Sequence, residues 1–123
     1  MKNLKIAKLS KSSSPGTVVY VKICDTFFSK FKGLMFSGEL KPDEGIIIVE
    51  NSESRMNTAI HMMFMNYDIT VLWLDKDKVV IDKVMAKRWA PYYAPKEPAQ
   101  YVVELHRSMF PEFSIGDELA LIR

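Results

Sequence analysis

The chain reads as a mainly β domain, a compact, jelly-roll-like β-sandwich or barrel with one or two short helices. Three observations predict this. β-branched and aromatic residues fall into short runs of period two. Turn signals recur at intervals of roughly 8–12 residues. A length of 123 residues, 48% hydrophobic and 26% charged, suits one core, so residues 1–123 are taken as a single domain.

The elements follow in order. Leu4, Ile6 and Leu9 alternate with lysines, and Val19, Val21 and Ile23 alternate within Thr17–Ile23. Ser10–Gly16 joins the two runs as a turn, which gives a hairpin. Phe27, Phe31 and Leu34 recur at helical spacing, with Asp25 or Thr26 as cap and Gly38 as the stop, so Phe27–Phe36 is a short helix whose rings pack on the sheet. Lys41–Gly45 is a turn. Ile46–Val49 has no polar face and is a strand buried on both sides. Asn51–Asn57 is a polar loop.

Ile60–Leu74 is apolar except at Asn66-Tyr67-Asp68. It fits two strands joined by a bend, or one bent strand. Asp75–Lys78 is a turn and Val79–Met85 a strand. Trp89–Pro98, with Pro91, Pro95 and Pro98 among its rings, is an ordered loop. Tyr101–Leu105 and Glu118–Ile122 close the sheet. His106–Phe113 between them is a short helix or irregular segment, followed by a turn at Gly116-Asp117.

A net charge of +2 argues against nucleic acid as the main partner. Lys2, Lys5, Lys8, Lys11 and Lys22 precede the first acid, Asp25, and read as a solvated edge strand and turn. Cys24 is the only cysteine and has apolar neighbours, which suits a buried structural thiol. No apolar run reaches signal-peptide or membrane-span length, so a cytoplasmic location without membrane contact is expected.

Common catalytic signatures are absent: no glycine-rich phosphate loop, no His-Glu-x-x-His, no Cys-x-x-Cys, no Gly-x-Ser-x-Gly. Asp75-Lys-Asp77 opens like a calcium loop but lacks the glycine and glutamate that complete one. No metal site and no cofactor is expected. Met56–Met65 concentrates four methionines and His61. Thioethers and imidazole are soft-metal ligands. As a strand, however, this stretch would put His61, Met63 and Met65 on one face and Met62 and Phe64 on the other. Core packing is the plainer reading, with copper(I) handling a lesser one.

Lys87–Lys96 interleaves basic residues with Trp89, Tyr92 and Tyr93, a composition suited to capping the sheet, to a ligand groove, or to stacking single-stranded bases. Glu104 lies inside an apolar strand, and a carboxylate there needs a partner, with Arg88 or Lys32 as candidates.

The ordered set Phe31-Lys-Gly-Leu-Met35, Leu40, Gly45, Ile60-His-Met62, Val71-Leu-Trp-Leu-Asp75, Val79-Val80, Tyr101-Val-Val-Glu-Leu105 and Gly116-Asp117 resembles the domain of unknown function 192 family (uncharacterised protein family 0127), over roughly residues 17–123. His61-Met62 is similar to its archaeal branch, where bacterial members tend to have Trp-Met. The resemblance implies a small, jelly-roll-like or barrel β-domain and supplies no activity. The family's acid falls at Thr70, whereas this chain carries Asp68 two residues earlier.

These readings converge on a non-catalytic β-domain that binds a small molecule or a partner protein. The residues best placed to do so are Lys32, Gly33, Met35, His61, Arg88, Trp89, Tyr92, Tyr93 and Glu104. The alternative is an enzyme acting on a saccharide or related polar substrate through Glu104 and a second carboxylate.

Overall fold

The computed structural model describes residues 5–14, 16–35 and 37–123, without the side chains of Phe27 and Phe28. Expectations placed on Lys2, Leu4, Pro15 and Phe36, and on the ring packing of Phe27 and Phe28, lie outside the described residues and side chains.

Seven strands form one curled sheet: β1 (Ile6–Lys11), β2 (Val18–Cys24), β3 (Glu44–Ser54), β4 (Ile69–Leu74), β5 (Val80–Ala86), β6 (Ala99–His106) and β7 (Leu119–Ile122). Their spatial order is β5-β4-β6-β3-β2-β1-β7. Only β2 and β3 run parallel. A parallel pair needs a crossover, and here the helix α1 (Phe27–Lys32) and the segment to residue 43 supply it. The edges β5 and β7 approach at one end, where Val80 N donates to Asp117 O at 2.8 Å and Leu119 N to Lys78 O at 2.9 Å. The sheet is therefore a half-barrel with its edges tied together at that end.

Curling divides the core in two. Leu9, Val19, Val21, Ile47, Leu72, Leu74, Val103, Leu105 and Phe113 fill the concave side. Ile46, Ile48, Ile69, Val71, Trp73 and Val102 face outward and are covered by Leu34, Met62, Met65 and Tyr67. Ile46–Ile48 is buried on both faces, as its unbroken apolar run predicts, and β4 is buried at every position. Gly45 is required where β3 meets β6: a Cβ there would lie 2.6 Å from the Glu104 carbonyl oxygen and 2.6 Å from Leu105 Cδ2.

The hairpin forms as read, with Leu9 opposite Val19. β1 is not an edge strand, however, because β7 pairs along its other side. Lys8 on β1 is exposed, whereas Lys11 meets Asp117 at 3.6 Å and Lys5, just before the strand, meets Asp25 at 2.8 Å. Thr26 caps α1 through a reciprocal pair of hydrogen bonds with Ser29. The helix stops at Gly33 rather than Gly38. Gly33 takes φ 48°, ψ −123°, a conformation glycine adopts without steric cost.

The largest departure is Ile60–Asp68. Only Ile69–Leu74 is strand, and Ile60 makes a single bridge to Tyr93. The strict alternation expected for Met62–Met65 does not occur. Met62 and Met65 are both buried, joined by a Met65 N to Met62 O turn, while His61 and Phe64 are exposed. The physical reason is a loop lying on the sheet's outer face, which buries apolar residues without being a strand. Arg107–Glu112 forms a 3₁₀ helix, and Asp75 Oδ1 accepts from the Asp77 and Val79 amides, making that segment a turn.

Candidate cleft on the outer face of the sheet

Two walls stand on the outer face of β3 and β6, and a cleft of about 480 Å³ lies between them. One wall is α1 with Gly33–Met35. The other runs from Asn57 to Met65. Two hydrogen bonds hold this arrangement. Trp73 Nε1 donates to Thr58 O at 2.7 Å, fixing the second wall to β4. Tyr67 Oη donates to Gly38 O at 2.9 Å, tying the continuations of both walls together.

The floor is Ile48, Val102 and Glu104. In the register Glu104 faces Ile46 on one side and Val71 on the other, both apolar. It is 6% exposed. Among the described residues it makes no hydrogen bond or ion pair. Burial alone pushes its carboxyl up from 4.5 to about 7, because a low-dielectric surrounding penalises the charged form. A Cβ built at Gly33 would sit 3.9 Å from Glu104 Oε1, so the helix end closes over the acid.

Neither expected partner reaches Glu104. Lys32 Nζ donates to Met35 O at 3.1 Å and to Ser37 Oγ at 3.3 Å. Arg88, which does not line the cleft, pairs with Asp68 at 3.2 Å and donates its backbone N–H to the same carboxylate. Lys30 pairs with Glu50 Oε1 at 3.3 Å. The hydrogen bonds from Arg88 hold the Asp68 carboxyl below the usual range.

Of the residues singled out by sequence, Lys32, Gly33, Met35, His61 and Glu104 line the cleft, whereas Arg88, Trp89, Tyr92 and Tyr93 do not. Trp89 donates to Asn66 Oδ1 at 3.1 Å and meets Phe64 edge-on at 5.4 Å. The Tyr93 hydroxyl accepts from Lys87 N, and Tyr92 is exposed. Residue type alone drew attention to these rings, but their loop packs beside the second wall. Sequence reasoning missed Lys30, Phe31, Glu50, Asn57 and Ile60 as lining residues. The helical spacing that gathers Phe31 with Leu34 and Met35 signals the first wall; no signal marks Asn57–Ile60.

Thr70 stands where the family resemblance places an acid. Its hydroxyl donates to His106 O at 3.0 Å and its position is fully buried. Asp68 precedes β4 and points to Arg88, so it does not replace an acid at that position.

The profile of domain of unknown function 192, described as uncharacterised ACR, matches residues 8–121. The chain belongs to this family. UPF0127 proteins from two Thermococcus species are similar: 43% identical over 84 residues in Thermococcus kodakarensis and 44% over 85 in Thermococcus gammatolerans. The matches take in 68% and 69% of this chain but 52% and 54% of those relatives, so the chain spans about half their length. A UPF0127 protein of Pyrococcus furiosus is 38% identical over 103 residues, covering 82% of this chain and 85% of that one.

Among solved structures, a Sinorhizobium meliloti protein described as a candidate transcription regulator superposes with TM-score 0.84 at 19% identity, over 97% of this chain and 94% of that one. A Novosphingobium aromaticivorans protein of unknown function gives 0.77 at 18%, over 95% and 84%. At these identities the likeness shows the fold alone. No described helix is long and apolar enough to cross a membrane.

Proposed function

We propose that this domain binds a small organic molecule in the cleft between α1 and Asn57–Met65. The observation that carries the reading is Glu104, a carboxylate on the cleft floor that is 6% exposed and makes no hydrogen bond or ion pair with the described residues. Small-molecule sites are concave, mostly apolar and set with a few convergent polar groups. A structural carboxylate, by contrast, is hydrogen-bonded or paired.

The enzymatic alternative has one point in its favour, since an acid near neutral pH is suited to proton transfer. It lacks the second acid. Glu50 is the other carboxylate lining the cleft, but it lies four residues along β3 from Ile46, the register partner of Glu104. Their backbone positions are thus offset by roughly 13 Å along the strand, while paired-carboxylate glycoside chemistry needs the carboxyl groups themselves about 5–9.5 Å apart. Glu50 is also occupied by Lys30. Binding is the better-supported reading.

Methyl-labelled methionine NMR against neutral fragments, n-hexanol and benzyl alcohol, tests it. Met35, Met62 and Met65 line the cleft, while Met56 and Met109 do not. The expected result is a saturable shift of the first three methyls together, with the other two still. Shifts confined to Met56 and Met109, or none at millimolar fragment, would remove the proposal.

A further inference from the structure

Resting on that reading of the cleft, we infer that its ligand class is an organic cation: a primary ammonium on a short apolar chain, with the charge against Glu104 and the chain against Met35, Met62 and Met65.

The argument runs through the donors and acceptors of the cleft. An ionised carboxylate only accepts hydrogen bonds. Glu104 receives none from the described residues, and the cleft's own cations are committed elsewhere. Lys32 is held by Met35 O and Ser37 Oγ, and Lys30 by Glu50. An ammonium brings three donors and the opposite charge to this carboxylate. The remaining lining suits it. Thioethers are polarisable and adapt to irregular shapes, and Met35, Met62 and Met65 all line the cleft. A carboxylate ligand would place a second acceptor and a second negative charge beside Glu104. A neutral alcohol would fill the space without relieving the charge.

The groups around Glu104 are Lys30 and Lys32 from α1, Cys24 from β2, Glu50 from β3, and His61 and Tyr67 from the segment before β4. Val71, its neighbour on β4, is apolar. Binding of an ammonium selects ionised Glu104 and so favours proton release. Affinity should fall about tenfold per pH unit below the range where Glu104 ionises. A His61→Asn variant separates any imidazole contribution, since it retains Glu104.

Isothermal titration of the whole chain with three probes of matched length, n-hexylammonium, n-hexanol and n-hexanoate, decides the question. At about pH 8, hexylammonium is expected to bind roughly tenfold or more tighter than hexanol, and hexanoate weakest. Glu104→Gln should bring hexylammonium down to the level of hexanol and remove the pH slope, while His61→Asn should keep hexylammonium ahead of hexanol. Hexanol binding as tightly as hexylammonium, or hexanoate binding best, would overturn the cation assignment and leave the cleft a ligand site. Failure of all three probes to reach the cleft methyls would overturn the ligand site itself, and the cation assignment with it.

Discussion

Replacing Glu104 with glutamine should change how stability depends on pH. In the folded protein the carboxyl titrates at about 7 instead of 4.5. At about 1.4 kcal/mol per pH unit, that difference is worth roughly 3 kcal/mol. Between the two values the folded protein keeps a proton that the unfolded chain has released. Stability therefore falls as pH rises from about 4.5, and the penalty is complete above about 7. Glutamine has the same shape and does not ionise, so the variant lacks this slope. Its amide brings buried donors without partners, a cost of about 1–2 kcal/mol at all pH values. The variant is thus expected to be slightly less stable than the parent at about pH 4 and more stable at about pH 8. For a chain of this length 1 kcal/mol is about 3–5 °C in Tm, so the difference in Tm should swing by roughly 10 °C across the range. Urea denaturation at a series of pH values measures it directly, because shared ionisations cancel in the difference. Parallel profiles for parent and variant would refute the reasoning, since they would mean that Glu104 titrates normally.

Other expectations rest on separate parts of the molecule. Gly45→Ala drives a methyl into the Glu104 carbonyl and the Leu105 side chain, and chemical denaturation should show a loss of about 1–3 kcal/mol. Trp73→Phe removes the hydrogen bond to Thr58 O under the second wall. The unpartnered carbonyl and lost volume should cost about 1–3 kcal/mol, and hydrogen exchange should quicken at residues 58–65 ahead of the strands. Burial pushes the Cys24 thiol up from its ordinary value, outweighing nearby Lys22. It should therefore resist a disulfide reagent in the native state and react on unfolding; fast native labelling would contradict its place under the outer core. Asp68→Asn removes a charge that holds Arg88, whose contacts depress the acid's pKa. It should cost about 1 kcal/mol near neutral pH. That margin should shrink as pH drops through the acid's depressed range, where the parent protonates too.

What the sequence disclosed follows from how local each signal is. The β1–β2 hairpin and the start of α1 are written in short-range alternation and in the cap candidates Asp25 and Thr26, of which Thr26 caps the helix. Ile46–Ile48 declared its two-sided burial by having no polar face. Glu104 stood out because a charge in an apolar strand is anomalous wherever the strand goes. The role of Ile60–Asp68 was not legible. A loop pressed onto a sheet needs apolar residues for the same reason a strand does, so Met62 and Met65 mimic a strand until the sheet beneath them is seen. Nor could the sequence show that β7 returns beside β1, because that pairing depends on the curl of the whole sheet. The ring-rich segment Trp89–Tyr93 drew notice by composition. The cleft is built instead from quieter residues, Asn57 and Ile60 among them, whose position depends on the Trp73 and Tyr67 hydrogen bonds.

The most direct test is a crystal structure of the chain grown with n-hexylammonium at about pH 8, where Glu104 is ionised. The ammonium is expected within hydrogen-bond distance of the Glu104 carboxylate, with its chain lying between Met35 and Met62. Density for the amine on the Trp89–Tyr92 loop with the cleft empty would contradict the account.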